Sequence, residues 1–172
     1  GELELGRQVG YLTLGDSMTY STYSYLITAL RELYPQLRHR TYAGITSFAA
    51  IASHFDWPLG EGKERVLLLP CPEEMSALRA DILTHNLVIL MKIGRRLPQV
   101  LALLEELGIT ENCVFAQRLG FAEERTSRGL TDLPRDAEMG YLSTMLIRRE
   151  AHQPRHQMQT RPIGEILTEA TR

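Results

Sequence analysis

"LGDSMTYSTYSYL", residues 14–26, decides how the rest of the chain is read. An apolar run, "VGYLTL" (9–14), leads into it, and a segment of helical spacing leads out. Seven of the eight residues from Ser17 to Ser24 carry a hydroxyl, Met18 being the exception. Gly15 permits a strained turn and a close approach of ligand to backbone. Asp16 can accept hydrogen bonds from an ammonium or a ribose. The N–H groups that follow lie at a helix start, where the dipole favours a carboxylate or a phosphate. Hydroxyls donate to anions and accept from amines, so such a turn suits a zwitterion, for instance the amino-acid end of a ligand. The same residues also suit a plain capped helix after a turn, because Ser, Thr and Asp are the usual capping residues. "GITS" (44–47) repeats the pattern of a glycine turn followed by hydroxyls.

Outward from this stretch, apolar runs alternate with amphipathic ones. "VGYLTL" reads as a buried strand, and "YSYLITALRELY" (23–34) as a helix with Leu26, Ile27, Leu30 and Leu33 on one face, stopped by Pro35. "RHRTYA" (38–43) is a weaker strand, and "TSFAAIASHF" (46–55) a helix capped by Thr46 or Ser47. Strand "RVLLLPC" (65–71), a helix over 73–84 and strand "LVILMKI" (87–93) follow, the last buried on both faces. A helix over 98–108 opens on Pro98 and closes on Gly108. "CVFAQRL" (113–119) and "GYLSTMLIRR" (140–149) are strands joined by a loop, which leaves them free to pair antiparallel. The alternation predicts α/β layers around a largely parallel sheet. A polar linker (152–159) and a short helix over "IGEILTEATR" (163–172) close the chain.

The 172 residues are 44% hydrophobic and 23% charged, an ordinary globular composition. The formal net charge of −2 argues against a nucleic-acid surface, and no apolar run reaches the length of a membrane span. Cys71 and Cys113 lie in apolar runs and form neither a disulfide framework nor a metal cluster, which fits a cytoplasmic setting. The five histidines show no ligand spacing, so no metal is expected, and His39 and His54 read as surface or hydrogen-bonded histidines. There is no signal peptide and no initiator Met, so the chain reads as beginning inside a longer unit.

"LGDSMTYSTYSYL", "GITSFAA", "LMKIGRRLPQVLALLEELGI" and "RLGFAEER", in this order, resemble the tetrapyrrole methyltransferase family. Within it the chain is most similar to the branch that methylates C20 of precorrin-2 or cobalt-factor II in cobalamin biosynthesis. The resemblance covers roughly residues 9–150. It implies two α/β domains with S-adenosylmethionine bound in the cleft between them, a tetrapyrrole substrate and a homodimer. By position it places Gly15, Asp16 and Thr19 on the first cofactor loop and Thr46 and Ser47 on the second; Ser21 and Thr22, in the same hydroxyl turn (15–22), are further cofactor-binding candidates. Met91 falls on a cofactor-contacting strand end, and Gly120 near the adenosine. Ser17 and Ala43 stand where the family usually has Pro, and the family's opening strand and Gly-Pro-Gly-Asp-Pro-type loop have no counterpart. The resemblance therefore implies the last part of an N-terminal domain (1–44), a C-terminal domain (45–150) and a polar tail (151–172). A truncated, non-catalytic remnant that dimerises or binds the cofactor weakly stands as the alternative.

Methyl transfer from a sulfonium needs orientation and water exclusion more than a catalytic dyad, and the sequence shows no dyad. Methylation at a meso carbon also requires loss of a proton, for which Tyr20 is the candidate relay, or else a residue that packs at the helix start. Arg95, Arg96, Arg125 and Arg128 are candidate partners for the carboxylates of the ring, or else solvated loop residues.

Overall fold

A computed structural model describes residues 1–151. The tail and the helix expected over 163–172 lie outside the described residues. The first helix, α1 (Tyr23–Leu33), ends where Tyr34 donates its N–H to the Leu30 carbonyl at 2.8 Å, one residue before Pro35. The second, α2 (Ser47–His54), is capped by Thr46, whose side chain accepts from the Ala49 N–H. Then follow β1 (Val66–Pro70), α3 (Met75–Thr84), β2 (Leu87–Met91), α4 (Leu97–Glu106), β3 (Cys113–Gln117), β4 (Arg125–Arg128) and β5 (Ser143–Arg148).

The five strands form one sheet in the order β1-β2-β5-β3-β4. Among the described residues only β1 and β2 pair in parallel, while β5 runs antiparallel to both β2 and β3, and β4 antiparallel to β3. The largely parallel sheet expected from the alternation is thus corrected. A parallel neighbour needs a crossover helix. The segment from β3 to β5 holds only a hairpin to β4 and a short 3-10 turn, so β5 inserts antiparallel between β2 and β3.

Alternation along β2 divides the core. Val88 and Leu90 pack with Leu78, Ile82, Leu97 and Leu101 of α3 and α4 on one face. Leu87 and Ile89 pack with Ile51 of α2 and with Trp57 on the other. All four of these β2 residues are buried, as a strand covered on both faces requires. Cys71 and Cys113 are free and buried, and desolvation pushes both thiols up, with Arg96 beside Cys71 pulling partly the other way. At the far end of β5, buried Arg148 pairs with Glu64 at 2.9 Å and donates to the Pro58 carbonyl at 2.7 Å, tying the 58–64 loop to the sheet.

Two further expectations are corrected. Residues 9–14 and 38–43 form no strand, and Leu12 is 94% exposed. A strand needs a ladder partner for its N–H and C=O groups, and neither segment has one among the described residues. Tyrosines hold these segments instead. Tyr11 stacks on Tyr23 at 5.8 Å and shares a hydrogen bond with Thr22 at 3.2 Å, while the Tyr23 hydroxyl meets Thr41 at 3.0 Å. In the opposite direction, the polar "RTSR" segment expected as loop is the edge strand β4.

Candidate functional site

The two glycine turns read from the sequence come together in space. Asp16 Oδ2 accepts the Gly44 N–H at 2.9 Å, and its Oδ1 accepts from the Met18 N–H at 2.9 Å and the Thr19 hydroxyl at 3.2 Å. These bonds, the one from Gly44 first, hold the Asp16 carboxyl below the usual carboxylate range. The approach is close. A Cβ on Gly44 would sit 2.2 Å from the Gly15 carbonyl oxygen, so only glycine fits. Gly15 itself adopts φ 72°, the left-handed region that glycine tolerates.

Of the seven hydroxyls from Ser17 to Ser24, those of Thr19, Ser21 and Ser24 brace the turn itself, and those of Thr22 and Tyr23 bond to Tyr11 and Thr41. Ser21 Oγ accepts from the Tyr23 N–H at 3.2 Å, and Ser24 Oγ donates to the Ser21 carbonyl at 3.1 Å. Two remain available. The Ser17 Oγ is buried without a partner, and the Tyr20 hydroxyl makes no hydrogen bond among the described residues. Tyr20 is 44% exposed and adopts φ 51°, a strained conformation for a residue with a Cβ.

The second turn anchors to the sheet. Ser47 Oγ lies 2.9 Å from Thr144 Oγ1, and Thr144 pairs with both Met91 and Ala116 across β5. Met91 ends β2 half-buried in the same cluster as Phe48 and Leu68. The carboxyl ends of β1, β2 and β3 share this edge, the usual ligand side of an open α/β sheet. Gly120 lies past β3 at φ 86° in an exposed loop, its N–H donated to Glu124 at 2.7 Å, with open space where a Cβ would be. A cleft of about 540 Å³ runs beside the first turn, lined by residues 18–22, Ser24, Tyr25, Leu68 and Lys92.

Sequence reasoning missed Thr144 and Lys92. Thr144 lies inside an apolar strand and nothing in the sequence marks it. Lys92 follows Met91 in the quoted "LMKIG", but its left-handed φ of 52° and its place over the Tyr20 ring are visible only in space. The arginine candidates scatter. Arg128 lies over the Phe55 and Trp57 rings and donates to the Phe55 carbonyl, Arg96 is half-buried beside Cys71, and Arg95 and Arg125 are exposed. His39 bonds Arg31 at 2.9 Å on the surface, and His54 meets Phe55 edge-on. Among the described residues no group of acids, histidines and cysteines could hold a metal ion, and no helix is long and apolar enough to cross a membrane.

A mixed α/β sheet with two glycine turns closed over its strand-end edge is a fold with known relatives. The chain belongs to the tetrapyrrole (corrin/porphyrin) methylases, whose family model matches residues 2–133. It is 29% identical over 154 residues to the cobalt-precorrin-2 C(20)-methyltransferase of Salmonella typhimurium, across 87% of this chain and 62% of that protein. It is 27% identical over 145 residues to the precorrin-2 C(20)-methyltransferase of a Sinorhizobium species, across 84% of this chain and 57% of that one. The chain therefore spans about three fifths of the length of these curated relatives. The fold matches the X-ray structure of a cobalt-precorrin-4 methyltransferase at a TM-score of 0.63 and 18% identity, covering 86% of this chain and 66% of that one.

Proposed function

We propose that this chain is part of an S-adenosylmethionine-dependent methyltransferase that methylates C20 of precorrin-2 or cobalt-factor II in cobalamin biosynthesis. The observation that carries the reading is the closure of the 15–22 turn on the 44–47 turn, beside a cleft with no carboxylate among its lining residues. Family membership and the similarity to two C20-methyltransferases support it. The residues present fit the cofactor. The buried Ser17 hydroxyl lacks a partner among the described residues, and neutral hydroxyls and backbone groups suit a zwitterionic ligand.

On this reading Gly15, Thr19, Ser21 and Thr22 hold the cofactor from the first turn, and Thr46 and Ser47 from the second. Met91 and Gly120 flank it at the strand ends. Asp16 acts by clamping the two turns together. Bound there, S-adenosylmethionine supplies an activated methyl group. The chain's own task is to orient the acceptor carbon, exclude water and take the proton that the carbon loses; Tyr20, which lines the cleft and whose hydroxyl has no partner among the described residues, is the proposed relay. The proposed division is an N-terminal α/β part over 1–44, a C-terminal domain over 45–150 and a polar tail over 151–172. A cytoplasmic homodimer completes the proposal. Exposed apolar side chains such as Leu12 and Ile45, the latter 75% exposed, offer surface to a second copy.

The test uses protein expressed from the complete reading frame. Calorimetry with S-adenosylhomocysteine should give saturable heat, and single-turnover assays should transfer methyl to the ring prepared with or without cobalt. Absence of both heat and transfer overturns the reading. Light scattering should give twice the monomer mass.

A further inference from the structure

One charged side chain, Lys92, lines the cleft beside the first turn. Met18, Tyr20, Tyr25 and Leu68 give it apolar surfaces, hydroxyls supply the remainder, and no carboxylate is among the lining residues. Asp16, the acid nearest in sequence, turns both oxygens to Gly44, Met18 and Thr19. The Lys92 ammonium lies 5.6 Å from the centroid of the Tyr20 ring. It makes no ion pair among the described residues.

The placement is built rather than incidental. Lys92 and Tyr20 both adopt left-handed backbone conformations, φ 52° and 51°, which residues with a Cβ adopt only where their surroundings hold them. On one side of Lys92, Met91 is locked into the ladder against Pro70 and Thr144. On the other, Ile93 is fully buried, and Gly94 packs so tightly on Gly140 that a Cβ there would fall 1.8 Å from the Gly94 oxygen. The strand end thus delivers an ammonium to a cleft lined by apolar faces and hydroxyls. The ring beneath keeps it there by cation–π attraction.

A cleft with apolar faces, hydroxyls along its wall and one cation unpaired among the described residues fits a large ring with apolar faces and carboxylates at its edge. We infer that Lys92 binds a carboxylate of the acceptor ring and so holds the ring over Tyr20. The inference rests on the methyltransferase reading and goes beyond it by assigning the anion-binding role to a residue. Arg96 and Arg128 are engaged elsewhere, beside Cys71 and over Phe55 and Trp57. A lysine suits the task because a compact point charge accepts a flexible carboxylate from many directions.

The experiment uses uroporphyrin III, a stable tetrapyrrole octacarboxylate, as the probe and follows fluorescence quenching at several salt concentrations. The parent, Lys92→Gln and Lys92→Arg proteins are compared, with S-adenosylhomocysteine calorimetry on each. Lys92→Gln should weaken uroporphyrin binding about tenfold at low salt and flatten its salt dependence, because one charge-assisted, screened contact is lost. Lys92→Arg should stay close to the parent, and cofactor affinity should be unchanged in both variants. Equal affinity and equal salt slope for parent and Lys92→Gln overturn the inference while leaving the methyltransferase reading in place. Joint loss of porphyrin and cofactor binding in Lys92→Gln also overturns it, since that marks a structural role. A parent that binds neither ligand removes the methyltransferase reading and the inference together.

Discussion

Replacing Gly140 by alanine tests the packing that sets the strand-end edge. A Cβ at this position would lie 1.8 Å from the Gly94 carbonyl oxygen, 2.6 Å from its carbon and 3.0 Å from its nitrogen. All three are backbone atoms, so no side-chain rotation relieves the contact. The two short 3-10 turns, Gly94–Arg96 and Ala137–Gly140, must separate by about 1 Å, which a close-packed interior resists. Overpacking of this kind costs roughly 1–3 kcal/mol, and an all-backbone clash belongs at the upper end. At about 2–4 °C per kcal/mol for a chain of this size, the melting temperature should fall by roughly 6–12 °C. Gly108→Ala is the control. Its φ is +67° but nothing lies within 4 Å of a Cβ there, so it loses only about 1–2 kcal/mol of left-handed freedom. Calorimetric melting of the three proteins decides the matter. A Gly140→Ala melting temperature no lower than that of Gly108→Ala would refute the reasoning. Because the Gly94 turn begins two residues after Lys92, Gly140→Ala should also weaken ligand binding in the cleft more than the control does.

Other outcomes follow from the same geometry. The Asp16 carboxyl is held below its ordinary value of 3.8, first by the Gly44 N–H. A depressed folded value stabilises the turn contact above the unfolded value, and that contribution is lost as pH falls through the folded one. The amide signal of Gly44 in NMR should accordingly titrate with a midpoint under 3.8, and a midpoint at or above it contradicts the clamp. Arg148→Met leaves Glu64 without its buried partner and should cost about 3–5 kcal/mol in urea unfolding; a loss under about 1 kcal/mol would show that the pair matters little. Tyr20→Phe keeps the ring and removes the hydroxyl, so turnover should fall by about 10²–10⁴-fold with cofactor affinity unchanged, and equal turnover retires Tyr20 as the relay.

The helices and most strands were legible because their signals are local. Pro35 ends α1, Thr46 caps α2, and the unbroken "LVIL" of β2 reads as a strand covered on both faces. The expectations that fell depended on partners. Residues 9–14 are as apolar as a core strand, yet they form none because no ladder partner stands beside them among the described residues. β4, with its polar "RTSR", forms because β3 offers it an edge. Strand identity is a property of a pair, and one sequence segment states only half of it.

By itself the sequence determined the alternation of elements, the covered strand, and the two glycine-and-hydroxyl turns whose residues resemble a methyltransferase site. The tertiary structure decided which groups those turns spend on each other. Asp16 is committed to Gly44, three of the seven hydroxyls to the turn itself and two to Tyr11 and Thr41, leaving Ser17 and Tyr20 unpaired among the described residues. It also decided that Thr144 receives Ser47 from almost a hundred residues away, and that Lys92 rather than an arginine carries the cation into the cleft. The physical reason is the same in each case. Composition and period act through near neighbours along the chain, whereas hydrogen-bond commitment, left-handed backbone strain and charge placement are settled by contacts between segments far apart in sequence.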